Sequence, residues 1–510
     1  MNTPFFLVIL ILVLAFSFSL REPLFDVSYS PVLYDRNGRL LGARVASDGQ
    51  WRFPADDKLN ENFIIALLEA EDRGFYRHPG IDPLAIARAA VQNVRGKRIV
   101  SGGSTITMQT IRLSRGNRRR TYSEKLVEAF LAPRLEISRS KDSILALYAA
   151  NAPFGGNVVG LEAAAWRWFG RSSEDLSWAE AATLAVLPNS PGLIHPGRNR
   201  EVLKTRRDTL LRRLYSRGVF DEETLVLALA EPLPGEPLPL PRLAPHLLDR
   251  LVKNAGGAAA IRDNAAFVTT IERDIQERVD SILNRASQRF AANGIMNGAC
   301  IVINTQTGEV AAYVGNTYTT HAPDVDIIAS WRSSGSLLKP FLYAAMLDSG
   351  DILPASLLSD IPTRIGSFSP QNISRTYLGV VPADEALARS LNVPAARSLR
   401  VFGVDRFARY LRELGLTTLF RPGNEYGLPL VLGGAEVTLW EITGLYAGLG
   451  RAASTNLNQR AFFPNSVLLS ESGRAAAGTE QDTLLSPGAA WLTLEALVRA
   501  ARPGEEAIWQ

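Results

Sequence analysis

The chain has 510 residues, of which 46% are hydrophobic and 21% charged, so it is too long for one ordinary core and predicts two or three globular domains. The net charge of +4 is modest and gives no reason to expect a nucleic acid partner. The sequence has one cysteine, Cys300, which excludes an intrachain disulfide and is predicted to lie in a buried strand. The four histidines show no metal-ligand spacing.

The chain begins with an uncharged apolar stretch over residues 5–20. At about 1.5 Å per residue it is slightly shorter than the usual membrane span of about 20 residues, and the flanking residues extend it to 1–20. Ser17 and Ser19 are small enough for a signal-peptide cleavage site, so a cleaved signal also fits the pattern. We predict an uncleaved signal anchor over 1–20, with the remaining chain outside the cytoplasm.

Helical periodicity dominates the first half of the chain. Residues 32–53 alternate around Asn37-Gly38 and predict a small hairpin. A loop rich in proline and glycine covers residues 188–198. Between residue 60 and about residue 217 the apolar positions predict helices over 63–70, 84–94, 122–135, 143–150, 162–169 and 199–216.

A stretch with six prolines, residues 231–245, predicts an extended linker. We therefore expect a first domain over 30–220, a linker over 221–262 and a second domain over 263–510. The second domain mixes strands and helices. Its predicted elements are a strand followed by a helix over 269–286, a hairpin of 300–304 with 310–314, and helices from Ser336, Asp384, Asp405 and Thr438.

A first candidate site combines carboxylates with an anion-binding segment. Glu71 ends an apolar helical stretch before the chain turns toward Pro79-Gly80, so its carboxylate can point into a cleft. A lone Glu-Asp pair is more often a solvated helix end. However, residues 102–105 (Gly-Gly-Ser-Thr) can present N–H and hydroxyl donors to an anion, and arginines pair well with phosphate oxygens. The basic residues that follow are Arg112, Arg115, Arg118, Arg119, Arg120 and Lys125.

This pattern predicts sugar transfer from a lipid pyrophosphate, although the basic stretch alone could be a solvated face or a loop on acidic lipid headgroups. The residues resemble the glycosyltransferase domain of class A penicillin-binding proteins, which joins lipid II disaccharides into peptidoglycan strands. The resemblance covers about residues 30–220. The first family motif, Glu-Asp-x-x-Phe-x-x-His-x-Gly, matches at all five fixed positions, which are Glu71, Asp72, Phe75, His78 and Gly80.

The second motif, Gly-Gly-Ser-Thr-Ile-Thr-Gln-Gln, includes Ser104, Thr105 and Gln109. Met108 replaces its first Gln, as in the penicillin-binding protein 1C branch of the family. The third motif, Arg-Lys-x-x-Glu, is also kept only in part. It retains Lys125 and Glu128, with Glu124 in place of the Arg.

Two further segments resemble the family. The fourth runs from Lys141 through Tyr148 to residues 151–157, with Ala146 where a Glu is common. The fifth motif, Arg-x-x-x-Val-Leu, is matched by Arg206, Leu210 and Leu211.

The resemblance implies the role of each residue. Glu71 is the general base, with a pKa that partial burial tunes toward neutrality. Arg112, Arg120 and Lys125 stabilise the departing pyrophosphate, and Glu128 assists by orienting these groups or by holding a divalent cation such as Mg²⁺. No other cofactor is expected. The remaining substrate-binding residues are Asp72, Phe75, His78, Gly80, Ser104, Thr105, Gln109 and Arg206.

A second candidate site lies in the second half of the chain. Ser336 and Lys339 are three residues apart, so on a helix they share a face and the amine can activate the hydroxyl. Together with Ser390 and Asn392 they resemble the catalytic residues of the family's transpeptidase domain, whose motifs are shared with serine β-lactamases. The third motif, Lys-Thr/Ser-Gly, is missing, since no lysine follows Lys339. We therefore expect an incomplete domain in which transpeptidation and penicillin acylation are absent or weak.

The fold class implied by the resemblance is a mainly α, lysozyme-like glycosyltransferase domain followed by an α/β penicillin-binding domain that is incomplete. The implied partners are lipid II, the growing glycan strand, the membrane, penicillin-type inhibitors and other proteins of cell-wall synthesis. The implied location is the bacterial inner membrane, spanned once, with the catalytic domains on the periplasmic side. The alternatives are a lytic enzyme of lysozyme type and a scaffold that binds lipid II without turnover.

Overall fold

The computed structural model describes residues 16, 19–54, 58–88, 103–118, 121–188, 196–257, 266–317, 322–454, 460–471 and 484–500. The chain forms two compact units. Unit 1 comprises Met1–Tyr34, Arg39–Arg242 and Leu248–Phe267. Unit 2 comprises Asp35–Gly38, Leu243–Leu247 and Val268–Gln510.

Unit 1 is mainly helical. Its helices are α1 (Glu61–Glu71), α2 (Ile106–Ser114), α3 (Tyr122–Ser138), α4 (Lys141–Asn151), α5 (Leu161–Phe169), α6 (Trp178–Val186), α7 (Arg200–Ser216) and α8 (Glu222–Ala230). These confirm five of the predicted helices. The predicted helix over 84–94 is described only as far as residue 88, and residues 83–88 are helical. Helices α2, α6 and α8 were not predicted.

Side-chain caps set where several of these helices begin. The Asn60 side chain accepts a hydrogen bond from the Phe63 amide at 2.9 Å, and Thr105 does the same for the Met108 amide at 3.1 Å. Ser177 and Glu180 form a capping box at the start of α6. Such caps satisfy amides that have no partner within the helix, so they fix the position of α1 and α2 along the sequence.

The core of unit 1 brings together apolar side chains from distant parts of the sequence. Phe63 and Leu67 of α1 pack with Tyr148 of α4 and with Phe154 and Trp168. Helix α1 packs against α6, and α2 packs against both α3 and α4. The end of α1 and the start of α2 are thereby held by one core.

Short strands complete unit 1. Strands β1 (Val32–Tyr34) and β2 (Leu40–Ala43) are antiparallel and joined through Asn37-Gly38, which confirms the predicted hairpin over its first part. Gly38 has a φ of +79°, a conformation that glycine adopts readily in a tight turn. Strand β3 (Trp51–Arg52) follows the hairpin along the chain. It pairs in parallel with β4 (Val158–Val159).

Two helices lie within residues 221–262, which the sequence analysis treats as linker. Helix α8 buries Ala228 in the core of unit 1. Helix α9 (Pro245–Asn254) begins at the last proline of the proline-rich stretch. Strand β5 (Ala266–Val268) then follows and lies next to β1 in a sheet of order β2-β1-β5.

Unit 2 mixes helices and strands, as predicted. Its helices are α10 (Arg273–Phe290), α11 (Lys339–Asp348), α12 (Ala383–Ala388), α13 (Asn392–Phe402), α14 (Val404–Glu413), α15 (Gly423–Tyr426), α16 (Leu439–Ser454) and α17 (Pro487–Val498). Its strands pair two by two among the residues described: β6 (Cys300–Ile303) with β7 (Val310–Val314), β8 (Arg332–Ser333) with β11 (Glu436–Val437), and β9 (Leu357–Asp360) with β10 (Gly379–Pro382). The β6–β7 hairpin confirms the prediction for residues 300–314.

Two local predictions for unit 2 were wrong. The active-site helix begins at Lys339 and not at Ser336, because Ser336 lies in a turn in which the Lys339 amide donates to the Ser336 carbonyl at 3.1 Å. Cys300 is in a strand but is half-buried, since it lies at the end of the β6–β7 ladder. Pro340 lies in the first turn of α11, where a missing N–H costs nothing.

Most of the apolar stretch over residues 5–20 lies outside the described residues. Of the helices that the structure does describe, none combines the length and the apolar character needed to cross a bilayer.

Candidate active sites

Glu71 lies at the last position of α1, where the helix gives way to the turn that follows. Its side chain is half-buried and lines an open groove with about 820 Å³ of empty space. Helix α7 also lines this groove. Its exposed Arg206 and Arg213 contribute two positive charges. A carboxylate in a groove with cationic side chains can accept a proton from a bound hydroxyl group while the cations bind an anion.

Gln109 holds the Glu71 carboxylate. Its Nε2 donates to Glu71 Oε2 at 2.9 Å, and its Oε1 accepts from the Tyr148 hydroxyl at 3.4 Å. Gln109 and Tyr148 are buried, and they belong to α2 and α4, which pack against each other. No role for Tyr148 is predicted from the sequence, because its contact with Gln109 depends on how α2 and α4 pack.

Asp72 and His78 join the turn after α1 to the start of α2. The Asp72 carboxylate accepts the Ile106 amide at 2.9 Å and contacts His78 Nε2 at 3.0 and 3.1 Å. His78 Nδ1 accepts from the Gly80 amide at 3.2 Å, so the ring proton lies on Nε2 and is donated to Asp72. These contacts give both residues a structural role, and their predicted role in substrate binding stays a prediction.

Gly80 and Thr105 form a second connection in the same region. The Thr105 hydroxyl donates to the Gly80 carbonyl at 2.6 Å while it caps α2. Gly80 has a φ of +91°, and an added Cβ would lie 2.8 Å from the Ala132 carbonyl carbon and oxygen in α3. Only glycine fits this backbone and this close approach. Ser104, one residue before Thr105, is half-buried.

Met108 is fully buried in α2. The residue that departs from the second family motif therefore lies among core side chains and does not line the groove. A thioether suits such a position because it is apolar and flexible. The departure consequently leaves the groove residues Glu71 and Arg206 unaffected.

Phe75 and Lys141 form a cation–π contact next to the turn that follows α1. Lys141 Nζ lies 4.3 Å from the centre of the buried Phe75 ring and also donates to Glu136 Oε1 at 2.7 Å and to the His78 carbonyl at 2.8 Å. Thr107 donates to the same Glu136 oxygen at 2.6 Å. Glu136 was not singled out from the sequence, and it connects α2, α3 and α4 at one carboxylate.

The arginine-rich stretch is partly neutralised. Glu124 accepts hydrogen bonds from Arg115 at 3.2 and 3.3 Å and from Arg118 at 3.3 Å, and the Arg115 hydrogen bond is the main cause that lowers the pKa of Glu124. Lys125 is exposed on α3. Arg119 and Arg120 lie outside the described residues, so the role predicted for Arg120 stays a prediction.

Arg112 of α2 and Glu128 of α3 are both buried, at 8% and 4% exposure, on two helices that pack together. Buried charges are rare unless they are paired or functional, which excludes a solvated surface for these two residues. Their predicted assisting role stays a prediction. Glu128 lies one helical turn after Glu124 on the same face of α3.

Two adjacent arginines of α7 differ in their surroundings. Arg206 is exposed and lines the groove with Glu71. Arg207 is 1% exposed, donates to Asp208 at 2.9 Å and donates to the Glu231 carbonyl at 2.6 Å. The sequence prediction of Arg206 as the site residue therefore agrees with its position, whereas Arg207 holds α7 to the segment after α8.

The carboxylates described above do not gather into a metal-binding cluster. No group of three or more His, Cys, Asp or Glu side chains within the described part of the chain is placed to hold a metal ion. The predicted divalent cation thus finds no ligand set there, and no step of the mechanism below involves it.

The second candidate site centres on Lys339. Its Nζ donates to the Ser390 carbonyl at 2.7 Å, the Ser390 hydroxyl at 3.1 Å and Asn392 Oδ1 at 2.7 Å. Lys339 lines a largely apolar pocket with about 360 Å³ of empty space, beside Leu342 and Leu387. Burial in this environment lowers the pKa of Lys339 to about 8, because the charged ammonium loses its hydration.

Ser336 is exposed in the turn before α11. The part of the chain that the structure describes contains no hydrogen bond between its hydroxyl and Lys339, whose donors face Ser390 and Asn392. The sequence placed Ser336 and Lys339 on one helical face, whereas the structure places them on either side of the helix start.

Asn372 and Asp360 support the backbone at the start of α13, next to Ser390. Neither residue was singled out from the sequence. Asn372 Oδ1 accepts the Asn392 amide at 2.9 Å and the Val393 amide at 3.2 Å, and its Nδ2 donates to Asp360 Oδ1 at 2.8 Å. Ser390 has a φ of +51°, which costs energy for a residue other than glycine. The Asn372 contacts hold this strained conformation in place.

Family profiles match the regions around both sites. The profile described as "Transglycosylase" matches residues 38–215, and "Penicillin binding protein transpeptidase domain" matches residues 298–460. The chain thus matches a transglycosylase domain followed by a penicillin-binding transpeptidase domain, as its resemblance to class A penicillin-binding proteins predicts. Its two-domain fold class, a mainly helical domain followed by a mixed domain, is as the sequence predicts.

Individual penicillin-binding proteins are similar to most of the chain. Penicillin-binding protein 1C of Escherichia coli (strain K12) is 35% identical over 94% of this chain and 60% of its own length, which agrees with the predicted 1C type. Penicillin-binding protein 1F of Bacillus subtilis (strain 168) is 27% identical over 86% of this chain and 62% of its own length. The chain thus spans about 60% of the length of these relatives.

A solved structure, Penicillin-Binding Protein 1A from Haemophilus influenzae, is 19% identical. The structural alignment covers 87% of this chain and 70% of the solved chain, with a TM-score of 0.42.

Proposed function

We propose that unit 1 polymerises lipid II into glycan strands by transfer from a lipid pyrophosphate donor, with Glu71 as the general base. The observation that carries this proposal is the position of the Glu71 carboxylate, which lines the open groove together with Arg206 and Arg213. A base and cations around one groove are what a sugar transfer with a pyrophosphate leaving group requires.

The reaction proceeds by one displacement. Glu71 takes the proton of the 4-hydroxyl of the acceptor sugar, and the resulting oxygen attacks the anomeric carbon of the growing chain. The bond from that carbon to the lipid pyrophosphate breaks, and the pyrophosphate leaves with the electron pair. Arg206 and Arg213 of the groove bind the anionic donor. Arg112, Lys125 and Arg120 offset its developing negative charge, and Glu128 orients these three cations.

A membrane location is consistent with the surface of α3. Tyr122, Leu126, Phe130 and Ile137 are exposed apolar residues, and their spacing puts them largely on one side of the helix. The ring of Phe16, within the predicted anchor, packs edge-on against Phe130 with 5.5 Å between centroids. We propose that this face lies on the outer surface of the bacterial inner membrane, where lipid II is reached directly.

The test is polymerisation of labelled lipid II by the purified chain, with and without moenomycin. Glu71→Gln removes the base, and Glu61→Gln, an exposed change in the first turn of the same helix, is the matched control. We expect moenomycin-sensitive strands from the parent chain and from Glu61→Gln, and none from Glu71→Gln. Polymerisation by Glu71→Gln at the parent rate refutes the role of Glu71. Lipid II binding without product favours a scaffold, and cleavage of preformed glycan favours a lytic enzyme.

For unit 2 we propose serine acyl transfer chemistry. Lys339, as a neutral amine, accepts the Ser336 proton, and the Ser336 oxygen attacks the carbonyl carbon of a peptide or a penicillin. The lowered pKa of Lys339 favours this step, but its amine donates to Ser390 and Asn392 and not to Ser336. We expect weak labelling or none with a fluorescent penicillin, and rapid labelling of Ser336 refutes this expectation.

A further inference from the structure

Three polar side chains form a chain of hydrogen bonds that ends at the proposed base. The Tyr148 hydroxyl donates to Gln109 Oε1 at 3.4 Å, and Gln109 Nε2 donates to Glu71 Oε2 at 2.9 Å. Each residue belongs to a different helix, α4, α2 and α1 respectively. Tyr148 is 1% exposed, and Gln109 is 6% exposed, so water does not readily replace either contact.

The chemistry of these groups determines which way the Gln109 amide faces. An ionised carboxylate only accepts hydrogen bonds, so the amide nitrogen must face Glu71. The amide oxygen then faces Tyr148, whose hydroxyl is the donor it needs. If the amide turned over, its oxygen would face the carboxylate oxygen and its NH₂ group would face the hydroxyl. The Glu71 carboxylate thus sets the orientation of the amide. The Tyr148 hydroxyl, which can donate or accept, hydrogen-bonds the amide oxygen in that orientation and holds the Gln109 side chain in place.

We propose that Tyr148 is a positioning residue for glycosyl transfer, which acts through Gln109 to hold the Glu71 carboxylate toward the acceptor hydroxyl. The proposal rests on the proposed function of unit 1. Glu71 lies at a helix end and lines an open groove, so rotation of its carboxylate changes which oxygen faces the groove. A donor fixed to one carboxylate oxygen limits that rotation and directs the second oxygen to the groove.

Such positioning affects the chemical step more than binding. A base must lie within hydrogen-bond distance of the proton that it removes, and a small displacement lowers the rate strongly. Tyr148 is buried behind Gln109 and does not line the groove, so substrate affinity should not depend on its hydroxyl. A loss in kcat with an unchanged KM is therefore the expected signature.

The experiment is a double-mutant cycle on the full chain with labelled lipid II. Tyr148→Phe keeps the ring and removes the donor, and we expect kcat to fall about ten-fold with KM changed less than about two-fold. Gln109→Ala should cost more, and the double variant should be no slower than Gln109→Ala, because Tyr148 acts only through Gln109. Tyr76→Phe, which removes a 3.0 Å hydrogen bond to Asp142 in the same unit, is the matched control with an unchanged kcat.

Two results overturn the proposal: an unchanged kcat in Tyr148→Phe, or equal and additive losses in the double variant. A second measurement does not depend on turnover, so it separates this proposal from the proposed function. The ¹⁵N resonance of the Gln109 side-chain amide should shift in Tyr148→Phe and in Glu71→Gln, and remain unchanged in Tyr76→Phe. If the parent chain makes no polymer but the amide shifts as expected, the proposed function fails while the hydrogen-bonded chain stands. An amide that does not respond to Tyr148→Phe refutes the positioning role.

Discussion

Glu124 accepts two hydrogen bonds from the guanidinium of Arg115, at 3.2 and 3.3 Å, and a third from Arg118 at 3.3 Å. It lies where the family motif has an arginine. The carboxylate therefore removes one positive charge from the expected motif and also occupies two arginines nearby. An anionic substrate that uses this region has to compete with an internal carboxylate.

We expect Glu124→Gln to strengthen lipid II binding, because Arg115 and Arg118 become available to pyrophosphate oxygens. KM should fall about two- to five-fold at low ionic strength, and the gain should shrink at about 1 M salt as the charges are screened. Steady-state polymerisation at several salt concentrations measures this. Glu277→Gln, which breaks the exposed pair with Arg273, is the control. An unchanged KM for Glu124→Gln would show that these arginines do not meet the substrate.

The adjacent Arg206 and Arg207 should respond oppositely to alanine. Arg206→Ala removes an exposed groove cation, so polymerisation should fall at least about ten-fold while the unfolding midpoint stays the same. Arg207→Ala removes buried contacts to Asp208 and to the Glu231 carbonyl, and should lower the free energy of unfolding by about 2–4 kcal/mol. Urea unfolding and lipid II turnover of both variants provide the comparison. Equal stability losses would contradict the assignment of distinct roles.

Gly80→Ala should destabilise unit 1 by more than about 2 kcal/mol. The new methyl group would meet the Ala132 backbone at 2.8 Å, in addition to the cost of a side chain at positive φ. Gly218→Ala isolates the second cost, because its φ is +72° and nothing lies within 4 Å of the added Cβ. That control should lose only about 1 kcal/mol. Denaturant unfolding measures the loss of stability in both variants. Similar losses would count against the close approach between Gly80 and the Ala132 backbone.

The stability of unit 2 should rise with pH because of Lys339. Its pKa is about 8 in the folded chain and 10.5 in the unfolded reference, so the folded state releases the proton first. Below pH 8 both states are charged and burial of the ammonium destabilises the fold, by about 3 kcal/mol. This cost disappears as the pH rises from 8 toward 10.5. Lys339→Met should flatten the increase in urea unfolding experiments, and a variant with the parent slope would argue against a depressed pKa.

Asn372→Ala should destabilise unit 2 by about 2–4 kcal/mol, since it removes a donor from the fully buried Asp360 and the acceptor of two amides at the start of α13. The exposed Asn304 also accepts two backbone amides, so Asn304→Ala is a control for the loss of turn contacts. It should cost about 1 kcal/mol. A loss for Asn372→Ala no larger than that of the control would show that Asp360 finds another partner.

Local patterns were sufficient for most of the helices and for the position of Glu71 at a helix end, because a helix boundary and a repeated apolar spacing are written in neighbouring residues. The family motif selected Arg206, and the helical spacing separates it from Arg207, which shares the apolar face of Leu203 and Leu214. Asp360 could not be recognised, since its importance arises from a contact with Asn372 across a loop. Ser336 was placed on a helix because the i, i+3 spacing ignores the turn that precedes Lys339.

The Asp72 carboxylate has a consequence for amide hydrogen exchange. Amides in the first turn of a helix lack a partner within the helix and ordinarily exchange quickly. The Ile106 amide instead donates to the buried Asp72, so its proton is released only when the turn after Glu71 separates from α2. The exchange rate of this single proton therefore reports how often the region that holds the proposed base opens, in the absence of any substrate.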